Sequence, residues 1–208
     1  MNLTETREML LYTAQKMIES EPVLTELDLK IGDGDHGIGM QRGFIAVRDL
    51  LTNDTFSPND IGELFSTIGT KMMSSMGGAS GAIFGTLFRA GGKALLEKQE
   101  FNSEALSQFL VAGSSAIFSR GGARPGDKTM VDSLVAAEKQ AEQVIGKDLK
   151  SALSTVAKAA EEGAERTRNQ IAVFGRAKTL GERSLGHVDP GSVSMSLILK
   201  FMSEFLEK

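Results

Sequence analysis

The stretch DLKIGDGDHGIG, residues 28–39, decides the fold class, because its glycines can be read either as part of a nucleotide-binding sheet or as a metal loop between helices. It places Asp28, Asp33 and Asp35 within eight positions, with Gly32, Gly34 and Gly37 bending the backbone and His36 alongside. GDGDHG formally matches the glycine spacing of the dinucleotide fingerprint. That fingerprint requires a preceding strand, and its close approach to a pyrophosphate would be opposed by Asp33 and Asp35 unless a metal intervened. A calcium-binding helix-loop-helix is excluded too, since a loop opening at Asp33 would need its closing glutamate where Phe44 stands. Two like charges ~4 Å apart repel by roughly 4 kcal/mol at an effective dielectric of ~20, so the cluster needs a counter-charge. A hard divalent cation on oxygen ligands supplies one, and magnesium suits a site that carboxylates share with phosphates and water. The aspartates could also simply cap the next helix and form turns.

Outward from that stretch the periodicity is helical throughout. Leu10, Leu11, Ala14, Met17 and Ile18 mark a helix over residues 4–20, and Met40, Phe44, Val47 and Leu51 a second that begins where the glycine loop ends near Gly39. Ser57-Pro58-Asn59-Asp60 offers a serine cap, a proline in the first turn and an acid three residues after the cap, ahead of Ile61, Leu64, Phe65, Ile68 and Met72. A fourth helix follows Gly77-Gly78 and runs to about residue 98 through Gly91-Gly92, each glycine costing about 1 kcal/mol against alanine. Asn102-Ser103 caps a fifth helix that ends before Arg120-Gly121-Gly122. The sixth covers residues 130–144, and Asp148 caps a seventh that extends to about Val173. Ser192 opens the last, carrying Val193, Leu197, Phe201 and Phe205. No run alternates with period two. The expectation is an all-α single domain over residues 1–208, an antiparallel bundle of roughly eight helices.

Composition sets the remaining bounds. The 208 residues are 41% hydrophobic and 24% charged, the balance of a folded globular protein. With 23 basic against 27 acidic residues the formal charge is −4, which argues against nucleic acid or an anionic membrane as partner. Cysteine is absent, which removes disulfides, thiolate nucleophiles and cysteine-ligated zinc. No apolar run is long enough to span a bilayer, and acids precede the first apolar run, so a cytoplasmic location is expected.

Glycines gather in four interhelical loops, near residues 32–39, 77–81, 121–126 and 181–191, and in an antiparallel bundle such loops can meet at one end. GGASG, residues 77–81, precedes a helix; it is either a capped turn or an anion site of free amides with the Ser80 hydroxyl. RGGARPGDKTMVD, residues 120–132, brings Arg124, Lys128 and Thr129 and is either a phosphate-facing or a solvated basic loop. GRAKTLGERSLGHVDPG, residues 175–191, is too long for a casual connector and supplies Arg176, Lys178, Arg183, His187 and Asp189. Arg176 or Arg183 can neutralise charge on a transferring phosphoryl group, or pair with a surface acid. His36 suits donation to a phosphate or orientation of an aspartate. Met130, in the first turn after a phosphate-type loop, can face an adenine.

Taken together, DLKIGDGDHG, MGGASGAIFGT, RPGDKTMVDSL and GRAKTLGERSLGHVDPGS resemble the nucleotide-binding L subunits of dihydroxyacetone kinases, in the same order and over nearly the whole chain. The resemblance implies an eight-helix barrel with ADP or ATP bound at one end. It implies that Asp28, Asp33 and Asp35 hold two magnesium ions, that His36, Gly37, Ala79, Ser80, Gly121, Met130, Arg176, Asp189, Pro190 and Gly191 contact the nucleotide, and that Arg176 is catalytic. A separate K subunit would hold the ketose, and in the phosphotransferase-dependent version an M subunit would rephosphorylate bound ADP. Two other readings are an ATP-dependent kinase subunit for another small ketose or tetrulose, and a nucleotide sensor without turnover. At Gly39 the chain departs from stand-alone L subunits that carry asparagine there, which removes a side-chain contact.

Overall fold

A computed structural model describes residues 1–208 and contains nine α-helices. They are α1 (Leu3–Glu19), α2 (Glu21–Ile31), α3 (His36–Leu51), α4 (Ile61–Ser75), α5 (Gly78–Lys93), α6 (Ser103–Arg120), α7 (Met130–Gln143), α8 (Leu149–Arg166) and α9 (Pro190–Phe205). No strand forms. Short 3-10 turns span Thr167–Asn169 and Arg176–Ser184, the second kinked at Gly181.

Eight of the helices close a ring. Each of α3 to α8 packs on the next, α1 packs on α3, and α9 returns to α1. Inside the ring lies one continuous core that includes Phe65 in contact with Phe88, Phe101 and Phe109. The expected eight-helix barrel is therefore present. The ninth helix, α2, was not expected, because the sequence reading treated Asp28 as the start of a loop. Asp28 instead sits in the last turn of α2, whose buried residues are only Leu24 and Ile31. So thin an apolar stripe is a weak periodic signal, although Pro22 in the first turn marks its start.

Several ends also move. α3 begins at His36 rather than near Gly39. The cap of α4 is Asp60, not Ser57: its carboxylate accepts Glu63 N–H at 2.7 Å and Glu97 N–H at 3.0 Å, which holds both the helix start and the opposite turn. α8 stops at Arg166 because the Thr167 hydroxyl donates to Ala164 O at 2.6 Å and accepts Asp189 N–H at 2.8 Å. α9 starts at Pro190, with Asp189 accepting Ser192 N–H at 2.7 Å.

Gly91 and Gly92 remain within α5, and packing explains why. A Cβ on Gly92 would lie 2.3 Å from Ser66 N, and one on Gly69 of α4 would lie 2.3 Å from Arg89 N of α5. The two backbones touch, so the glycines that lower local helix propensity are what allow α4 and α5 to close the ring.

Candidate functional site: a cavity at one end of the barrel

α3, α5, α7 and α9 all begin at the same end of the ring, and α2, α4, α6 and α8 end there. Between them lies a cavity of about 670 Å³. Its wall takes residues from every glycine-rich loop singled out in the sequence, including Asp33, Ser80, Gly121, Met130, Arg176 and Gly191. The first turns of four helices thus face one space, and each turn presents amides and the positive end of a helix dipole. α7 and α9 are capped by their own Thr129 and Asp189 side chains. α5 carries no side-chain cap, which leaves its leading amides for a ligand, whereas the first amide of α3, that of His36, is taken by the Asp28 carboxylate. This geometry favours an anion.

The acidic cluster stands at the mouth. Ligand oxygens of Asp28, Asp33 and Asp35 lie within 4.8 Å of one another. Asp28 shapes the turn that delivers the others: its Oδ2 accepts Gly34 N–H at 2.9 Å and His36 N–H at 3.2 Å. Two glycines permit that arrangement. A Cβ on Gly32 would lie 2.2 Å from Asp28 Oδ1, and Gly34 has φ 81°, a left-handed backbone that L side chains resist. Across the mouth the Arg176 guanidinium pairs with Asp33 and, at 3.4 Å, with Asp35. A cation already occupies the position that charge repulsion demands, and three hard oxygen donors fit magnesium.

His36 sits behind the acids. Its Nδ1 is 3.1 Å from Ser80 Oγ and its Nε2 is 2.7 Å from Ser194 Oγ, so the ring ties α3 to α5 and α9. Burial holds its pKa below the ordinary histidine value, which keeps the ring neutral. Asp189 is pushed up to about 7, first by burial and then by the nearby charge of Asp132. The far wall is apolar and includes Ile38, Ile83, Ile117, Met130 and Phe174, with Ala79 and Pro190 near the helix starts. A charged mouth with an apolar interior suits a ligand with phosphate at one end and a flat apolar group at the other.

Not every residue singled out reaches the cavity. Gly37 is buried one residue into α3, where a Cβ would lie 2.5 Å from Glu21 O, so it packs α3 on α2. Arg124, Lys178, Arg183 and His187 lie outside the wall. Two participants went unnoticed in the sequence. Arg42 lines the cavity and donates to Ser75 O at 2.7 Å and to Met76 O, capping the end of α4 beside Gly77. Its position seven residues after Asp35, on the same helical face, was the available signal. Ser194 lies mid-helix and has no such signal.

The DAK2 domain family matches residues 30–204. The chain belongs to the DAK2-domain family. Among its relatives is the PEP-dependent dihydroxyacetone kinase ADP-binding subunit DhaL of Escherichia coli K12, 40% identical over 187 residues that cover 89% of this chain and 88% of that subunit. The PTS-dependent dihydroxyacetone kinase ADP-binding subunit DhaL of Lactococcus lactis is 36% identical over 192 residues, covering 91% of each. Among solved structures, the dihydroxyacetone kinase from C. freundii in complex with AMP-PNP and Mg2+ superposes with a TM-score of 0.72 at 29% identity. That match covers 95% of this DAK2 chain and 33% of the C. freundii chain. No helix is long and apolar enough to cross a membrane.

Proposed function

We propose that this protein is the ADP-binding subunit of a dihydroxyacetone kinase, passing a phosphoryl group from a magnesium nucleotide to dihydroxyacetone held on a separate K subunit. The observation that carries the reading is the meeting of three carboxylates and Arg176 with the uncapped start of α5 at one cavity mouth. Full-length similarity to stand-alone ADP-binding subunits supports it, and supports an M-type phosphocarrier as a second partner that renews bound ADP.

Each group then has a task. Asp28, Asp33 and Asp35 would hold two magnesium ions, which when bound supply charge neutralisation to the phosphates. The leading amides of α5 and the Ser80 hydroxyl hold phosphate oxygens, while Met130 and the neighbouring apolar wall receive the adenine. Arg176, now paired with Asp33 and Asp35, would neutralise the transferring group were those acids engaged by magnesium. No nucleophile is required of this chain, since positioning and electrostatics account for most of phosphoryl-transfer catalysis. Retention of all three aspartates and Arg176 argues against a sensor without turnover.

Gly39 favours a second reading, in which ATP exchanges freely and the partner presents dihydroxyacetone or another small ketose. The residue lines the cavity without a side chain to hold a ligand. Denaturing the purified protein after extensive dialysis and assaying the supernatant separates the two. Near-stoichiometric ADP is expected; empty protein that binds ATP reversibly would sink the bound-ADP mechanism.

A further inference from the structure

Lys128 is the wrong residue for its backbone. It has φ 60°, a left-handed conformation that glycine or asparagine adopts with less strain, and only Glu97, on an exposed turn, shares this trait among non-glycine residues. Its side chain is also 2% exposed, an unusual fate for an ammonium group. Strain and burial together mean that something about the side chain is retained in their place.

The contacts say what. Nζ donates to Thr167 O at 2.6 Å and to His187 O, and the group joins none of the ion pairs in the molecule. Thr167 closes α8 and His187 precedes the cap of α9, while Lys128 itself precedes the cap of α7. One ammonium therefore joins three helix ends. Between its two carbonyl partners runs the segment 168–186, which carries Phe174, Gly175, Arg176 and Ala177 into the cavity wall. Arg168 and Gly186 also close this segment, exchanging two hydrogen bonds at 2.8 Å, but those bonds fasten the loop only to itself. Gln170 Nε2 donates to the Asp132 carboxylate of α7 at 3.0 Å and Val173 N–H to Asp127 O at 3.4 Å, but both ties hold only the first half of the loop. Lys128 grips both strands of the loop base and fixes them to α7.

We infer that Lys128 is a positioning residue whose buried ammonium staples the base of the 168–186 loop to the start of α7, so that Arg176 is held over the acidic mouth. Arg176 needs such help. It is 69% exposed, its loop turns through left-handed Gly175, Gly181 and Gly186, and its own anchors are the acids that a magnesium nucleotide would take from it. With the base loose, the guanidinium would lose its register on the phosphates and Phe174 would loosen with it, while the aspartates and the start of α5, which lie outside the loop, stayed in place.

The inference rests on the nucleotide-binding reading, and a double-mutant cycle tests it separately. Mg·ADP affinity is measured by titration calorimetry, after any retained nucleotide has been stripped with chelator, for the wild type, Lys128→Met, Arg176→Met and the double variant. Lys128→Met is expected to weaken binding about tenfold in the wild-type background and by less than about threefold once Arg176 is gone. Equal losses in both backgrounds, or no loss in the first, would overturn the role assigned to Lys128. A wild type that does not bind Mg·ADP would instead remove the functional reading. Should Lys128→Met fail to fold, Lys128→Arg takes its place in the cycle, with hydrogen exchange at Ala172 and Gly186 as a second readout. The guanidinium is bulkier than the ammonium, and the 2% exposure of Lys128 leaves no room for it between the two carbonyls, so faster exchange at both amides and weaker binding are expected. Unchanged exchange with unchanged affinity overturns the inference as well.

Discussion

Arg176 Nη2 lies 3.4 Å from Asp35 Oδ2 although 141 positions separate the two in the chain. Together with its contact to Asp33, this makes Arg176 the counter-charge of an acidic cluster that would otherwise repel itself. Arg176→Ala is therefore expected to lower stability in metal-free buffer, by about 1 kcal/mol or less because the groups are solvated. Added magnesium should restore most of the loss. Thermal melts with and without magnesium check this, and a deficit that magnesium leaves unchanged would mean that the arginine does not stand in for a cation.

Asp33→Ala is expected to abolish both magnesium-dependent nucleotide binding and transfer. The remaining carboxylates cannot supply the same ligand set, and Arg176 loses its closest partner. Calorimetric titration with ADP in magnesium and in chelator reads the effect directly. Tight binding that survives the substitution would show the metal assignment to be wrong.

Asp189 gives a pH signature. Burial raises its carboxyl to about 7, so between the ordinary value of 3.8 and 7 the folded state keeps a proton that the unfolded chain has released. Its contribution to stability is therefore fully present below pH 3.8 and is lost as the pH rises through 7. Asp189→Asn preserves the cap on Ser192 N–H and removes the titration. Urea unfolding from pH 4 to 8 should show a flatter profile for the variant than for the wild type. Parallel profiles would refute the assignment.

The ring of eight helices was legible because each buries a broad apolar face at helical spacing, and because up-and-down connection brings alternate loops to one end. The same logic hid α2, a short helix lying outside the ring, and therefore misplaced Asp28 from a helix end into a loop. Site residues that sit in glycine-rich loops could be found from their surroundings, as Ser80 and Arg176 were. Arg42 and Ser194 act from within helices, where a polar residue reads as an ordinary exposed position until the neighbouring helix is in place. Lys128 was visible as a loop cation, but its burial depends on α8 and α9 closing over it.

The α4–α5 contact offers a test of the fold that is independent of ligand. A methyl group added at Gly69 would meet Arg89 N at 2.3 Å and Gly85 O at 2.8 Å, both backbone atoms of α5. Gly69→Ala raises local helix propensity yet is expected to cost about 1–3 kcal/mol, because two helices must separate. Denaturant unfolding measures the balance. A stabilised variant would mean that the helices do not approach as closely as the structure has them.

The resemblance leads one to expect asparagine where Gly39 stands, and the structure shows that the position has room. A Cβ there would meet only Met76 O, at 3.5 Å, an ordinary contact on the cavity wall. Gly39→Asn should therefore fold normally, since asparagine is a better helix former than glycine. Its amide would add a hydrogen bond at the phosphate end, worth about 1 kcal/mol. The expected outcome is slower ADP release by roughly fivefold with little change in association, because changes within one interface fall mostly on the dissociation rate. Stopped-flow displacement of a fluorescent ADP analogue reads both rates. If release is unchanged, the glycine is not what sets nucleotide retention, and the case for freely exchanging ATP loses the one observation that favours it.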